Sequence, residues 1–569
     1  MPAHFIRQMS IILTPRQRWY LVFLFLVMLF GAFLEALGVS IVVPFLTVIT
    51  QEDLSARFPY FMLLGERLGL KTHEELALGC MLALILIFIL KAVYLLAEYR
   101  LQSDYLSSCK LDAQDRLAMR LLKKPYSYFL ERNSAEMQRL MIYDLNTVFV
   151  VLFQVLFMMS ELVISTVLLI TLFLIEPVMS TWVLVIISSV VLVVMKVIQP
   201  MLHDAGLEAM KYDRIRSRWI SQGFIGIKEV KHMHAESFIA DRIHESGLHI
   251  NKRERLRVQL NSIPKLVIET TCICGVLGVM AGMTVSGRTL SSLLPAIGAF
   301  AMAAIKLMPS ANKVTGALSS IIYNMPAIDN IAEILSESKE EGRLAGNPAA
   351  EEKSAADSTE PGGDIIAFRH VSFTYPHTDH KILDDVSVTI RRGEMVGIMG
   401  VSGAGKTTFA DVMMGLLSPD EGSVSISGTI GYIPQSIFLL DDTVRANVSF
   451  GIPPEQVSDE TIWECLEEAQ LADYFRSVPD GLDTRVGERG IRLSGGQAQR
   501  IGIARALYRQ PDILVFDEAT SALDLATEAA VIEAVNSMHG RKTIVIIAHK
   551  SGVLADCDVI YRVKDGKLE

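Results

Sequence analysis

The chain has 569 residues, 51% hydrophobic and 20% charged, with a mean hydropathy of +0.36. A soluble globular chain carries about 25% charged residues, so this balance excludes a disordered chain and a wholly soluble enzyme, and the length calls for two or more domains. Lys and Arg number 53 against 63 Asp and Glu, a net charge of −10, which argues against nucleic acid as a partner.

In chain order, the apolar residues concentrate in the first 310 positions. Six runs near the roughly 20 residues that cross a bilayer are expected as spans: about 19–47, 76–98, 146–174, 178–198, 263–285 and 290–309. Between the first two, residues 55–70 are too polar to span yet rich in Phe, Leu and Met; they suit a short amphipathic helix at the outer membrane surface. The segment 99–140 holds eight Lys and Arg, and 199–261 holds eleven. The connections 51–75, 175–177 and 286–289 hold three, none and one. The basic segments and both termini are therefore expected in the cytoplasm. Few Gly or Pro interrupt the basic segments, so they read as membrane helices prolonged into the cytoplasm, each pair joined by a short turn. His232 and His234 read as solvated helix residues. Cys272 and Cys274 form a C-x-C in the fifth run, too few ligands for a metal. Residues 337–363 have no aromatic residue and seven acids against three bases, a flexible polar linker. Alternating strands and helical stretches follow, giving a division into 1–336, 337–363 and 364–569.

The last part carries the chemistry. MVGIMGVSGAGKTTFADVMMGLL reads as a buried strand, a glycine-rich loop and a helix. Gly400, Gly403, Gly405, Lys406 and Thr407 fit G-x-x-x-x-G-K-[ST]. Such glycines let backbone N–H groups surround phosphate oxygens; Lys406 reaches the β- and γ-phosphates and Thr407 can ligate Mg²⁺. About 110 residues on, the apolar strand of DILVFDE ends in two acids: Asp517 suits Mg²⁺, and Glu518 suits a base that orients the attacking water. Between them, in LSGGQAQRIGIARAL, two glycines precede a long helix and bare a second phosphate-competent helix N-terminus.

With LSGGQ at Leu493 to Gln497, this region closely resembles the ATP-binding cassette family. The resemblance implies ATP and Mg²⁺ as cofactors, with Ser402 and Thr408 among the nucleotide contacts of the loop. It implies Tyr375 of FTYP as the aromatic that stacks on adenine, and Gln435 of YIPQ as the Q-loop glutamine that touches Mg²⁺. Ser494, Gly495, Gly496 and Gln497 match the signature loop, Asp524 of SALD the D-loop aspartate, and His549 of IIAHK the switch histidine. The catalytic set implied is Glu518, His549 and Gln435. Two departures stand out: SVSISGTIGYIPQ is shorter than the usual approach to the Q-loop, which puts the antiparallel subdomain's shape in question, and Lys550 replaces the usual Arg after the switch histidine.

One P-loop and one signature cannot complete a family-type site, so a C2 homodimer is implied, with a heterodimer as the alternative. Six spans with a C-terminal cassette resemble ABC exporters. The implied fold is an all-α six-helix transmembrane domain of the ABC exporter type fused to an α/β P-loop ATP-binding cassette. Its place would be the inner (cytoplasmic) membrane, multi-pass, with the cassette cytoplasmic. Residues 123–137 and 219–230 resemble the two coupling turns. Only about 18 residues precede the first run, so an N-terminal maturation protease is not expected. LMPSANK (Leu307 to Lys313) and the pattern around IPKLVIE (Ile263 to Glu269) resemble bacterial lipid-linked oligosaccharide flippases of the protein N-glycosylation type. Lys91, Lys265 and Lys306 lie within apolar runs and Lys313 just after one. A charge near the bilayer centre costs about 2.5–3.5 kcal/mol on insertion scales, so such residues should face a cavity or a partner such as Glu35, Glu161 or Glu269. A cationic cavity would suit the pyrophosphate of a lipid-linked glycan. Export of another lipid, drug or amphipath, with structural lysines, is the alternative; a non-transporting ATPase sensor is a third.

Overall fold

The computed structural model describes residues 2–40, 73–175, 177–285, 290–336, 363–378, 380–487, 490–491, 493–519 and 525–569. The expected outer segment 55–70 and nearly all of the linker 337–363 lie outside the described residues. Contacts divide the chain into two units: Met1–Lys124 with Glu131–Ser338, and Pro125–Leu130 with Lys339–Glu569.

The first unit is helical: α1 (Pro2–Ile12), α2 (Pro15–Ser40), α3 (His73–Leu122), α4 (Leu145–Ile175), α5 (Pro177–Ile225), α6 (Glu236–Val285) and α7 (Leu290–Ser336). Local chemistry starts α2. Gln17 N donates to Thr14 Oγ1 (3.4 Å) and Thr14 N to Gln17 Oε1 (2.9 Å), a capping box with Pro15 at the first helical position. At 50, 49, 50 and 47 residues, α3, α5, α6 and α7 are about 70–75 Å long, more than twice the hydrocarbon thickness of about 30 Å. The expected prolongation of the membrane helices is present. Short helices, Tyr126–Glu131 and Ile227–His232, sit between α3 and α4 and between α5 and α6. One detail differs from expectation: His234 is exposed in a turn, not a helix, because its φ of +52° ends the helical run. Pro15–Leu34 and Ser134–Val167 are, among the described residues, long and apolar enough to cross a bilayer; the other four expected spans run partly outside the described side chains.

Helix α1 has no counterpart in the sequence reading. Its Phe5, Met9 and Ile12 are buried, and His4 and Gln8 reach Asp329 of α7 at 2.8 and 2.7 Å. Where α5 meets α6 and α7, Ile198, Leu202, Leu260 and Ile322 form a common core. Just beyond, a Cβ on Gly206 would lie 2.1 Å from the Tyr323 carbonyl, so only glycine permits that approach of α5 to α7. At the entry to α4 the chain makes a π-helical turn, Leu140–Asp144. It is spanned by a buried ion pair, Arg139 Nη1 to Asp144 Oδ1 at 2.7 Å, with side chains 3% and 6% exposed.

The second unit holds two sheets. A three-stranded antiparallel sheet, in the order β2-β1-β4, uses β1 (Asp364–Thr374), β2 (Lys381–Arg391) and β4 (Glu421–Ile426). The short approach to the Q-loop therefore leaves the antiparallel subdomain intact, with Ile366 of β1 opposite Ile426 of β4. The six-stranded sheet runs β5 (Ile430–Ile433), β6 (Ile513–Asp517), β7 (Thr543–Ala548), β3 (Met395–Gly400), β8 (Val559–Lys564), β9 (Lys567–Leu568), parallel except for β8–β9. Every residue of β6 and β7 is buried, as parallel strands covered on both faces require. Helices α8 (Lys406–Met413), α9 (Gly495–Tyr508) and α10 (Leu525–Ser537) accompany it.

The Arg139–Asp144 pair allows a test. Arg139→Met alone should destabilise the protein by about 3–5 kcal/mol, because it strands a buried carboxylate, while Arg139→Met with Asp144→Leu should recover most of that loss. Thermal unfolding of the detergent-purified protein reads both, and a double variant no more stable than the single one refutes the account.

Candidate nucleotide site

Three parallel strands, β3, β6 and β7, deliver their carboxyl ends side by side, where ligands bind in open α/β sheets. β3 ends at Gly400 and opens the loop to α8. Gly405 has φ +101°, and a Cβ there would meet the Ile382 carbonyl at 2.9 Å, so the left-handed turn into α8 needs glycine. The first helical bond is Phe409 N to Gly405 O, so the N–H groups of the preceding turn have no acceptor within the helix. Ser402, Gly403 and Thr407 of this loop are exposed, while Gly405, Lys406 and Thr408 are buried.

The Lys406 ammonium, 4% exposed, donates to the Gly400 and Val401 carbonyls, each at 3.1 Å, and lies 3.5 Å from Glu518 Oε1. His549, one residue past β7, places Nε2 2.6 Å from the same Glu518 oxygen and Nδ1 3.0 Å from Gly400 O. Gln435 Nε2 donates to Glu518 Oε2 at 2.9 Å. Lys406, Gln435, Glu518 and His549, picked from four separate motifs, are thus in direct contact. Glu518 itself has φ +50°, a conformation costly for a non-glycine residue, and its N–H is fixed by Ile547 O at 2.9 Å.

Asp517, the last residue of β6, is 4% exposed. Burial, first of all, holds its carboxyl above the usual range. The Tyr432 hydroxyl donates to Oδ2 at 3.0 Å, while Oδ1 is buried without a partner. An orphaned carboxylate oxygen costs free energy unless a cation meets it, so this donor set fits Mg²⁺, with Thr407 at the start of α8 as the second protein oxygen. Tyr375 is half-buried at the end of β1, packed edge-on against Phe373, its hydroxyl 3.2 Å from Thr408 Oγ1. Ser494 and Gln497 form a capping box at the head of α9: Gln497 N donates to Ser494 Oγ at 3.2 Å and Ser494 N to Gln497 Oε1 at 2.9 Å. Gly495 is exposed beside them and Gly496 buried, and these side-chain hydrogen bonds stay within the signature loop. Asp524 lies outside the described residues.

The sequence reading missed the residues that hold these groups in place. Besides Tyr432, Asp411 of α8 is 8% exposed, its carboxyl pushed up to about 6 by burial and by Asp517. Fully buried Asn447 bonds Leu440 and Thr443, and Arg505 of α9 bonds Phe438 O and Asn447 O, each at 2.8 Å, pinning the stretch after Gln435. No local sequence pattern marks these residues, because each contact depends on how separate segments pack.

In the membrane unit, Lys313 is paired with Glu161, whose other oxygen accepts from Ser310. Its ammonium thus meets one of the carboxylates expected as partners for these lysines. Lys265 is exposed on the single chain, and Lys91 is half-buried with its ammonium 5.5 Å from the Phe88 ring. The Lys306 side chain lies outside the described residues.

Residues 383–521 match the family model described as ABC transporter, and residues 19–300 the one described as ABC transporter transmembrane region. The chain belongs to the ABC transporter family. The probable multidrug resistance ABC transporter ATP-binding/permease protein YheI of Bacillus subtilis is 40% identical over 227 residues, 38% of each chain. The ATP-dependent lipid A-core flippase of Burkholderia pseudomallei is 39% identical over 218 residues, 36% of each chain. The matches span 37–38% of the length of the first two curated relatives. A bacterial Atm1-family ABC exporter with ATP bound shares the fold, with a TM-score of 0.76 at 21% identity over 97% of this chain and 94% of that one. The fold is therefore a helical transmembrane domain of the exporter type fused to an ATP-binding cassette, whose cofactors are ATP and Mg²⁺.

These contacts assign separable roles. Glu518→Gln should keep ATP binding while turnover falls roughly 10²-fold or more, the scale of losing a general base. Lys406→Ala should instead weaken ATP binding itself. ATPase and nucleotide-binding assays on the purified variants check both, and full ATPase in the Gln variant would remove Glu518 from the role.

Proposed function

We propose that the chain is one half of a homodimeric, ATP-driven membrane exporter that flips a lipid with an anionic headgroup. The observation that carries the ATPase part is the convergence of Lys406, Gln435 and His549 on the two oxygens of Glu518. In this mechanism Lys406 holds the β- and γ-phosphates, giving up the carbonyls that now take its protons. Mg²⁺, when bound, offsets the phosphate charge. Gln435 and His549 orient the Glu518 carboxylate, which accepts a proton from the attacking water. Ser494, Gly495 and Gly496 of the partner chain face the same ATP. The capping box supports this, because it fixes Ser494 at the exposed head of α9 with the helix dipole pointing outward. Tyr375 stacks on the adenine, and Asp524 acts between the two halves. The organisation proposed is a transmembrane domain at 1–336, a linker at 337–363 and a cassette at 364–569, in an inner membrane with the cassette in the cytoplasm.

The substrate reading is a pyrophosphate-linked lipid oligosaccharide. Lys91, Lys265 and Lys306 support it: a diphosphate cannot cross an apolar layer unpaired, and lysines hold it as adaptable point charges. Lys313, compensated by Glu161, contributes to the shape of the site and not to its net charge. The likeness of this chain to a lipid A-core flippase favours a lipid, whereas its likeness to a probable multidrug resistance transporter favours a drug or another amphipath. The expected result is that Lys265→Gln with Lys306→Gln abolishes flipping of a fluorescent pyrophosphate-linked glycolipid in proteoliposomes, with basal ATPase near wild type. The corresponding Arg pair should retain part of the activity. Normal flipping by the Gln pair would discard the cationic cavity and leave the general amphipath exporter.

A further inference from the structure

We infer that Tyr432 is a positioning residue for the metal, setting the rotation of the Asp517 carboxylate so that Oδ1 alone faces the cation. The inference rests on the ATP–Mg²⁺ reading of the site. Parallel pairing of β5 with β6 puts Tyr432 beside Val515, two residues before Asp517. From there its hydroxyl reaches Oδ2 at 3.0 Å. Among the described residues that hydroxyl is the one hydrogen-bond donor to the Asp517 side chain, and the other oxygen is buried and unsatisfied. A single donor on a buried carboxylate restricts its rotation: the bonded oxygen is tied to Tyr432 of β5, and the other is left for a cation to meet.

The position in the chain adds a consequence. Tyr432 and Gln435 lie on the same short segment, three residues apart, Tyr432 bonded to Asp517 and Gln435 to Glu518. One strand-to-loop segment thus orients both strand-end acids, through one hydrogen bond each. A shift of the segment at Gln435 is transmitted to the metal-facing acid through Tyr432.

The test uses the full-length protein in detergent with Mn²⁺ as the probe, its free signal read by electron paramagnetic resonance in the presence of a non-hydrolysable ATP analogue. Tyr432→Phe keeps the ring and removes the donor. Mn²⁺ affinity should fall roughly 10- to 100-fold, the range for loss of a group that orients a metal ligand. Metal-free binding of the analogue should be unchanged. ATPase should show a raised Mg²⁺ requirement with near-normal turnover at saturating Mg²⁺. Unchanged Mn²⁺ affinity overturns the inference, as does loss of metal-free nucleotide binding, which makes Tyr432 a packing residue only. Asp517→Asn run in parallel separates the two levels. If it loses Mn²⁺ while Tyr432→Phe does not, only the positioning role falls; if it binds Mn²⁺ as wild type, the metal-site reading falls with it.

Discussion

A buried ammonium beside a strand-end carboxylate sets the terms for the cassette. Lys406 is 4% exposed, and a cation at that depth has to be met by acceptors. The β3 carbonyls and Glu518 meet it, and they can do so only because β3, β6 and β7 are adjacent and parallel, so that their carboxyl ends open on one edge. Strand order thereby becomes chemistry. Gly400, Asp517 with Glu518, and His549 come from sites up to 149 residues apart in sequence, yet touch through a handful of side chains. The fully buried strands behind them act as a rigid mount, since shifting any one would break packing on both faces.

The same arrangement shows why Glu518 tolerates an unfavourable backbone conformation. Its N–H is anchored to Ile547 of β7, and its two carboxylate oxygens are held from different sides by His549 and Gln435. Cost of about 1–3 kcal/mol for a non-glycine left-handed residue is offset by bonds that over-determine its position. Strain of this kind is characteristic of a group that has to be held at one orientation against solvent.

Much of this was legible in the chain. Loop glycines, Lys406, the acid pair and His549 are each tied to a local pattern, a strand before and a turn after, and the strands could be read from their apolar runs. Prolonged helices were legible for the same reason, as basic helix-forming stretches continuous with apolar ones. What escaped reading depends on register across the sheet or between helices. Nothing in the spelling of GYIPQ says that Tyr432 lies opposite Val515, because that follows from how β5 aligns with β6. Arg505 lies 58 residues from Asn447 in sequence, and the two meet only once α9 is packed. Helix α1 was hidden by its shortness: Phe5, Met9 and Ile12 make one apolar face that has meaning only against α7.

Charge compensation links the two units by principle. In the cassette, Lys406 is met by two carbonyls and Glu518, while Asp517 is left with one unsatisfied oxygen that a metal ion would satisfy. In the membrane unit two carboxylates are each met by a cation, although Arg139 Nε and Nη2 and Asp144 Oδ2 stay buried without partners. Glu161 takes both Ser310 and Lys313, and Arg139 takes Asp144 in near-total burial. The Lys313–Glu161 pair joins α7 to α4, whereas Arg139 and Asp144 span one helical turn, where removing either partner leaves an isolated buried charge. A charge left unmet invites a ligand. By that criterion the Lys313–Glu161 pair is part of the framework that joins α7 to α4, whereas Lys265 stands exposed on α6. The distinction is physical and general: a site is marked less by the number of its charges than by which of them the folded chain has left unpaid.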